Sequence, residues 1–585
     1  MEGYRPGKSP DQVLSSNMAR WAMVSILLLS AALLWYDLGT RDVLGRDENA
    51  TVIKLDQPDP MAVLRVTELK FTGEPGNMQP LYFLLQHLFW PAVQRSAFVL
   101  RFLPSVFALL AIAVTFKLGE ALFDREAGLA GALLTALLPL TVRYAQIARP
   151  YTLLALLALA SAYFLIRALA TNRPLHWLGY VVATMLCFYT HYNALFILLA
   201  EGLYTAVVWL TILSGVLKKR QPAGRLVWPV LAFLLVGLFC LPGLVRLLRL
   251  PWVGPEGSAG GEVAVALELT VPFFQSFLSK IGLLDPWLRG LILGLMGVGM
   301  VAALYLRRWQ AVLFSILWLA IPFLVLSMMK SPRPFEERYV IFVPPVALLL
   351  AGQGISAAGQ MLGSMARRWG LSISRIGPWA VMTALLLVLG LLFAAPLRAH
   401  YASNQSEARL EYALQVIEHQ AGPGDIVIVS PRTFVRPLAV EGASVLYLTE
   451  HLSAAELDDL AQQSGRMWIL YTTFLPTEVL QEPLDPWIQA HPDEFVLLPI
   501  KAPSAIAYGN VAAIDAEARL KDRIIALDEL VRGPAGKHGK WVRYGILADA
   551  YQALGDLYAS QGQTTLAAEN WTKAEETRAE APPPW

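Results

Sequence analysis

An acidic pair, Asp47 and Glu48, follows Arg46 in the run VLGRDENATV at 43–52, a few residues after an apolar stretch that ends near Tyr36. A carboxylate in such a place can take the proton of a reacting hydroxyl. Further along, VRYAQIARPY at 142–151 carries Arg143 and Arg149, and EERY at 336–339 carries Arg338. Guanidinium groups grip phosphate through paired hydrogen bonds. THYN at 190–193 adds His191, which reads first as a hydrogen-bonded cap at a helix end and second as a catalytic group. Any loop at a membrane surface is charged, and one arginine could simply snorkel. The matched set is what argues for chemistry. Carboxylates and phosphate-gripping arginines at one face suit the attack of a hydroxyl on a sugar linked to a lipid phosphate.

Those residues need elements to position them, and the composition says which. The 585-residue chain is 56% hydrophobic and only 16% charged, with a mean hydropathy of +0.48, which places it in a bilayer. A net charge of +2 gives no case for nucleic acid as a partner. The two cysteines, Cys187 and Cys240, lie in apolar runs and support no disulfide framework. The eight histidines show no metal-binding spacing, so neither metal nor cofactor is expected.

A hydrocarbon core about 30 Å thick needs roughly 20 apolar residues in a helix. On that criterion about eleven spans start near Met18, Ala97, Ala127, Tyr151, Trp177, Asn193, Leu226, Trp287, Ala311, Tyr339 and Pro378. The first reads as an uncleaved anchor. Lys and Arg in short loops orient the bundle. Arg20, Lys218, Lys219, Arg220, Arg307, Arg308, Arg367, Arg368 and Arg375 share one side if the N-terminus is cytoplasmic, with the turns at Asp124 and Thr171. The loops at 37–94, 143–150, 251–285 and 330–338, and everything after Arg398, then lie outside. The outer run MQPLYFLLQHLFW at 78–90 is amphipathic and suits the interface. Glu201, deep in an apolar run, reads as a carboxyl paired with a neighbouring helix.

The tail changes character. Helix-like EARLEYALQVIEH at 407–419 precedes short apolar strands, GDIVIVS from 424, SVLYL from 444, MWILYT from 467 and EFVLLPI from 494. Ser453 with Glu456 forms a capping box between two of them. This pattern predicts a small α/β domain without a Gly-rich phosphate loop. Near the end, Tyr551, Leu554, Gly555, Tyr558, Ala567, Trp571 and Ala574 fall at the spacing of one tetratricopeptide (TPR) unit. The domain expectation is therefore 1–396, membrane; 397–515, extracytoplasmic α/β; 516–585, helical with one TPR-like hairpin.

In order, DENATV, QPLYFLLQHLFW, RFLPSVFALLAIAVTFKLGEALFDREAGLAGALL, YAQIARPYTLLALLALASAYFL, YTHYNALFILLAE and RYVIFVPPVALLLA resemble the membrane domain of GT-C glycosyltransferases. The resemblance covers roughly 19–394 and is nearest to the bacterial branch related to protein O-mannosyltransferases, lipid A aminoarabinose transferases and Rgt-type enzymes. It implies an all-α polytopic fold and transfer of a hexosyl or pentosyl unit from a polyprenyl-phosphate donor to an acceptor glycan, protein or lipid outside the cytoplasmic membrane, with no nucleotide sugar and no metal. It also implies Asp47 as catalytic base with Glu48 beside it, and Arg149 and Arg338 as phosphate contacts, joined by Arg143 and Tyr339. Gln146, Tyr151, His191 and Tyr82 are the expected substrate contacts. Where the family often reads YSQEARMY, this chain has Ile147 in place of the acidic residue, which leaves Glu48, or Glu336 and Glu337, for any second carboxylate. The rival classes are a transporter or flippase of lipid-linked sugars, for which neither internal repeats nor broken mid-membrane helices are evident, and a membrane-tethered scaffold acting through the tail.

Overall fold

The structure is a computed structural model that describes residues 10–38, 46–55, 57–68, 79–89, 97–217, 224–249, 265–328, 330–331, 335–368 and 377–407, then 417, 421–423, 425–429, 444–447, 460, 467–472, 495–497, 505–510, 521, 524 and 540–580. The chain divides into two compact units: 1–38, 53–94 and 98–400 form the first, and 39–52, 95–97 and 401–585 the second.

The first unit is helical because its apolar runs, once in hydrocarbon, can satisfy backbone groups only within the segment. Its elements are α1 (Pro10–Trp35), α3 (Pro60–Glu68), α4 (Leu81–His87), α5 (Ala97–Leu122), α6 (Arg125–Leu137), α7 (Pro139–Ala145), α8 (Tyr151–Thr171), α9 (Pro174–Phe188), α10 (Ala194–Leu217), α11 (Gly224–Arg249), α12 (Val271–Lys280), α13 (Pro286–Tyr305), α14 (Trp309–Met328), α15 (Val343–Arg368) and α16 (Gly377–Glu407), with α2 (Arg46–Leu55) crossing the division between the units. Among the described residues nine helices are long and apolar enough to cross a membrane. The other two expected spans have reasons to differ. α6 and α7 meet at a 60° bend, because Leu138 precedes Pro139 and is extended at ψ 122°. α9 has only 15 residues. The interfacial run at 78–90 turns inward in part: Tyr82, Phe83, Gln86 and His87 of α4 are buried, whereas Leu88 and Phe89 are exposed.

Close approach of α15 to α13 and α6 depends on glycines. A Cβ at Gly299 would lie 2.0 Å from the carbonyl oxygen of Leu350, one at Gly354 2.1 Å from that of Leu295, and one at Gly352 2.5 Å from that of Ala127. Small residues at such crossings are the usual means of helix association in lipid. At one end of this trio Asp124 caps α6 by accepting from Ala127 N–H at 2.9 Å, pairs with Arg308 at 3.2 Å and accepts from Ser356 Oγ at 3.1 Å. Asp124 and Arg308, from two separate turns, thus meet. Glu201 of α10 is fully buried and accepts from Ser161 Oγ of α8 at 2.9 Å; that hydroxyl is 2.7 Å from Thr184 Oγ1 of α9. A carboxyl held by neighbouring helices is what its position implied.

In the second unit, β3 (Ile426–Val429), β4 (Ser444–Tyr447), β5 (Met467–Thr472), β6 (Phe495–Leu497) and β7 (Ala505–Asn510) form a sheet of order β4-β3-β5-β7-β6. β3 pairs in parallel with β4 and β5, and β7 pairs antiparallel with β5 and β6. The four expected strands are present. β7, AIAYGN, was missed because its small residues and glycine carry little strand preference. The capping box at Ser453 and most of 407–419 lie outside the described residues.

The chain ends in a hairpin, α17 (Lys540–Ser560) and α18 (Thr564–Glu580). Leu554, Tyr558, Ala567 and Ala574 are buried in it. Gly555 admits Trp571, whose ring carbon would be 2.4 Å from a Cβ there, while Trp571 Nε1 donates to Asp556 at 2.8 Å. In the first unit, Gly282 in the turn after α12 takes φ +104°, and a Cβ there would lie 2.5 Å from the ring of Pro139.

Candidate active site

Arg149 ends the short connection between α7 and α8, and Tyr151 opens α8. Arg338 belongs to the 3-10 turn Glu337–Val340 that leads into α15. These distant segments meet at one ring: the Arg149 guanidinium carbon lies 5.9 Å, and that of Arg338 5.6 Å, from the ring centre of Tyr151. His191, in the turn between α9 and α10, packs on the same ring at 6.0 Å between centres. Two guanidinium groups close to one aromatic ring can hold an anion between them.

His191 is neutral there. Its Nδ1 accepts the Asn193 backbone N–H at 3.2 Å, which requires a lone pair on that nitrogen and leaves the proton on Nε2. Burial lowers its pKa to about 4, with Arg149 and Arg338 pushing the same way. The cap reading and a binding role are therefore compatible in one side chain.

Sequence reasoning missed Lys54. It is buried at the end of α2, and its pKa falls to about 8 through burial first and the charge of Arg149 second. Lysine at a helix end is common enough to pass unnoticed, and only burial beside Arg149 marks it. Gln79 was also missed. It is buried, just before Pro80 at the start of α4, where Leu81 N–H donates to Tyr189 O at 3.1 Å, and its Nε2 has no hydrogen-bond partner among the described residues.

The other predicted residues fall into three groups. Asp47 lies in the first turn of α2, with its side chain outside the described part of the structure, and Glu48 beside it is buried. Arg143 pairs with Glu337 and donates to Lys280 O at 3.3 Å, and the ring of Tyr339 lies 6.0 Å from the Arg338 guanidinium. Gln146 is fully buried, its Nε2 donating to the carbonyls of Tyr36 at 2.8 Å and Leu34 at 3.3 Å, its Oε1 3.3 Å from His400 Nε2. Tyr82 is buried against Phe83. Arg149, Arg338, Tyr151 and His191 are thus brought together, whereas the described contacts of Gln146 tie its turn to the end of α1 and to α16, and that of Tyr82 lies within α4. Among the described residues no group of three or more His, Cys, Asp or Glu could hold a metal ion.

Comparison with known proteins follows the same outline. The sequence model of the family described as dolichyl-phosphate-mannose-protein mannosyltransferase matches residues 75–244. That stretch holds Arg149, Tyr151 and His191 but neither Asp47 nor Arg338. No curated protein matches the chain in sequence. Among solved structures, ArnT from Cupriavidus metallidurans in the apo state superposes with a TM-score of 0.53 at 14% identity, covering 84% of this chain and 98% of that one. The same protein bound to undecaprenyl phosphate gives the same values. The Archaeoglobus fulgidus oligosaccharyltransferase in the apo form gives a TM-score of 0.42 at 12% identity over 78% of this chain and 69% of that one. A family segment at residues 75–244 thus sits within a fold that this chain shares with ArnT over most of its length.

Proposed function

We propose that the protein transfers a sugar from a polyprenyl-phosphate donor to an acceptor hydroxyl at the outer face of the cytoplasmic membrane. The observation that carries this reading is the meeting of Arg149 and Arg338 on the face of Tyr151, beside neutral His191. A phosphate bound there is gripped by two guanidinium groups, accepts a hydrogen bond from His191 Nε2–H, and meets the added charge of Lys54. The undecaprenyl phosphate in the ArnT complex is a lipid phosphate of the kind released in such a reaction.

The step is a single displacement with inversion. Asp47, with Glu48 beside it, takes the acceptor's proton as its oxygen bonds to the anomeric carbon. The bond from that carbon to the phosphate oxygen breaks on the opposite face, and the electron pair leaves with the lipid phosphate. Preorganised cations are most effective where charge develops in the transition state. Arg143 and Tyr339 support the phosphate end, and Tyr82 lies on the substrate side. The N-terminus and the basic loops are cytoplasmic in this reading, and the tail is outside.

The test is transfer by the full chain in lipid, with polyprenyl-phosphate sugars of hexose and pentose type and a set of envelope glycan, protein and lipid acceptors. Asp47→Asn is expected to lose about 10² to 10⁴ in turnover, the usual contribution of a general base. Its affinity for polyprenyl phosphate should stay at the wild-type value. Undiminished turnover overturns the assignment. A transporter of the same lipid would leave the sugar–phosphate bond intact, which the same assay reports.

A further inference from the structure

Glu337 lies beside the candidate phosphate site, and the reaction above gives it no task. It opens the four-residue 3-10 turn that carries Arg338, and it is buried. Its Oε1 accepts from Arg143 Nη2 and, at 3.1 Å, from Tyr144 Oη, both on α7. Six residues after Arg143, the same stretch of chain reaches Arg149 and then Tyr151. The Glu337 contacts therefore join the segment bearing one phosphate-gripping arginine to the segment bearing the other.

We propose that Glu337 is a positioning residue that fixes Arg338 relative to Arg149, and so sets the geometry with which the two hold the donor phosphate. The proposal rests on reading these arginines as phosphate contacts. The rest of the turn is anchored in the same spirit. Asn193 Nδ2 donates to Tyr339 O at 2.9 Å, and Trp318 Nε1 donates to Phe342 O at 3.0 Å. On the other side, the Phe335 ring packs on Phe273 at 5.0 Å, and Lys280 Nζ donates to Phe335 O at 3.4 Å. Arg338 is itself paired with Glu336 of its own segment, while Glu337 carries the described contacts of this turn to α7. Glu336 steadies the guanidinium from within its own segment, whereas Glu337 sets how that turn sits against α7 and therefore against Arg149. The competing role for Glu337 is chemical, as the second carboxylate that Ile147 does not supply.

The experiment measures binding of unsugared polyprenyl phosphate, and transfer kinetics, for the full chain in lipid. Glu337→Ala should weaken polyprenyl phosphate binding on the order of 10²-fold, the scale set by a misplacement of about 1 Å, and raise KM for the donor more than it lowers kcat. Glu337→Gln keeps an oxygen that accepts from Tyr144 and Arg143 and should recover most of the loss. In an Arg338→Ala background, Glu337→Ala should add little, because it acts through that guanidinium. Tyr144→Phe removes one hydrogen bond while leaving the fold intact, and it should show a smaller loss of the same kind, also absent without Arg338. Full additivity, or a kcat collapse in Glu337→Gln with binding unchanged, overturns the positioning role alone. Wild-type binding no tighter than that of Arg149→Ala overturns the phosphate-site reading and the positioning role together.

Discussion

Lys54 illustrates how a single side chain acquires chemistry from its surroundings. Its pKa is lowered to about 8 by burial and then by Arg149. An anion bound beside it favours the charged form and raises that pKa. Below about pH 8 the lysine is already charged and affinity for polyprenyl phosphate should be level; above it, binding must take up a proton and affinity should fall. Titrating binding from pH 6 to 10 checks this, and Lys54→Arg should abolish the decline. His191 runs the other way. Burial lowers its pKa to about 4, whereas an unfolded histidine titrates near 6.5. The unfolded chain then binds more protons below about pH 6.5, so this contribution to stability is full above that value and is lost as pH falls toward 4. His191→Asn should flatten the dependence of the unfolding temperature on pH across that window. Neither effect is legible in the sequence, because spacing reports which residues are near in the chain and says nothing of what buries them.

Elements position these groups through close packing. α15 follows directly on the turn that carries Arg338, and its glycines let it lie against α13 with a Cβ at Gly354 only 2.1 Å from Leu295 O. That neighbour is backbone and cannot swing aside. Gly354→Val should cost about 1–3 kcal/mol or more, the scale of overpacking. A fall in the unfolding temperature and a weaker hold on polyprenyl phosphate would be the measured signs, whereas Gly290→Val, at a site with open space, should change neither. The 60° bend between α6 and α7 serves the same end, since it turns α7 so that Arg143 and Tyr144 meet Glu337. The X-Pro step at Leu138–Pro139 was visible in the sequence, and its geometric consequence was not.

At the scale of the whole molecule, the two compact units do not follow the order of the chain. Residues 39–52, with Asp47 and Glu48, group with 401–585, whereas 53–94, with Lys54, belong to the membrane unit. Removing 401–585 takes away most of the unit in which the acidic turn of α2 sits. On the proposed reading, transfer should drop by at least the contribution of the base, while polyprenyl phosphate binding, assigned there to Arg149 and Arg338, should persist; assays of both on the truncated chain check this. The sequence by itself determined the membrane class, the starts of its helices and four strands of the tail, because hydrophobic length and periodicity are local properties that lipid and backbone hydrogen bonding enforce. Only the tertiary structure decided that Glu337 grips α7, that Lys54 lies buried near Arg149, and that Gln146 holds Tyr36 and His400. Those contacts join residues far apart in the chain, and their formation depends on how the helices pack, which no short stretch of sequence encodes.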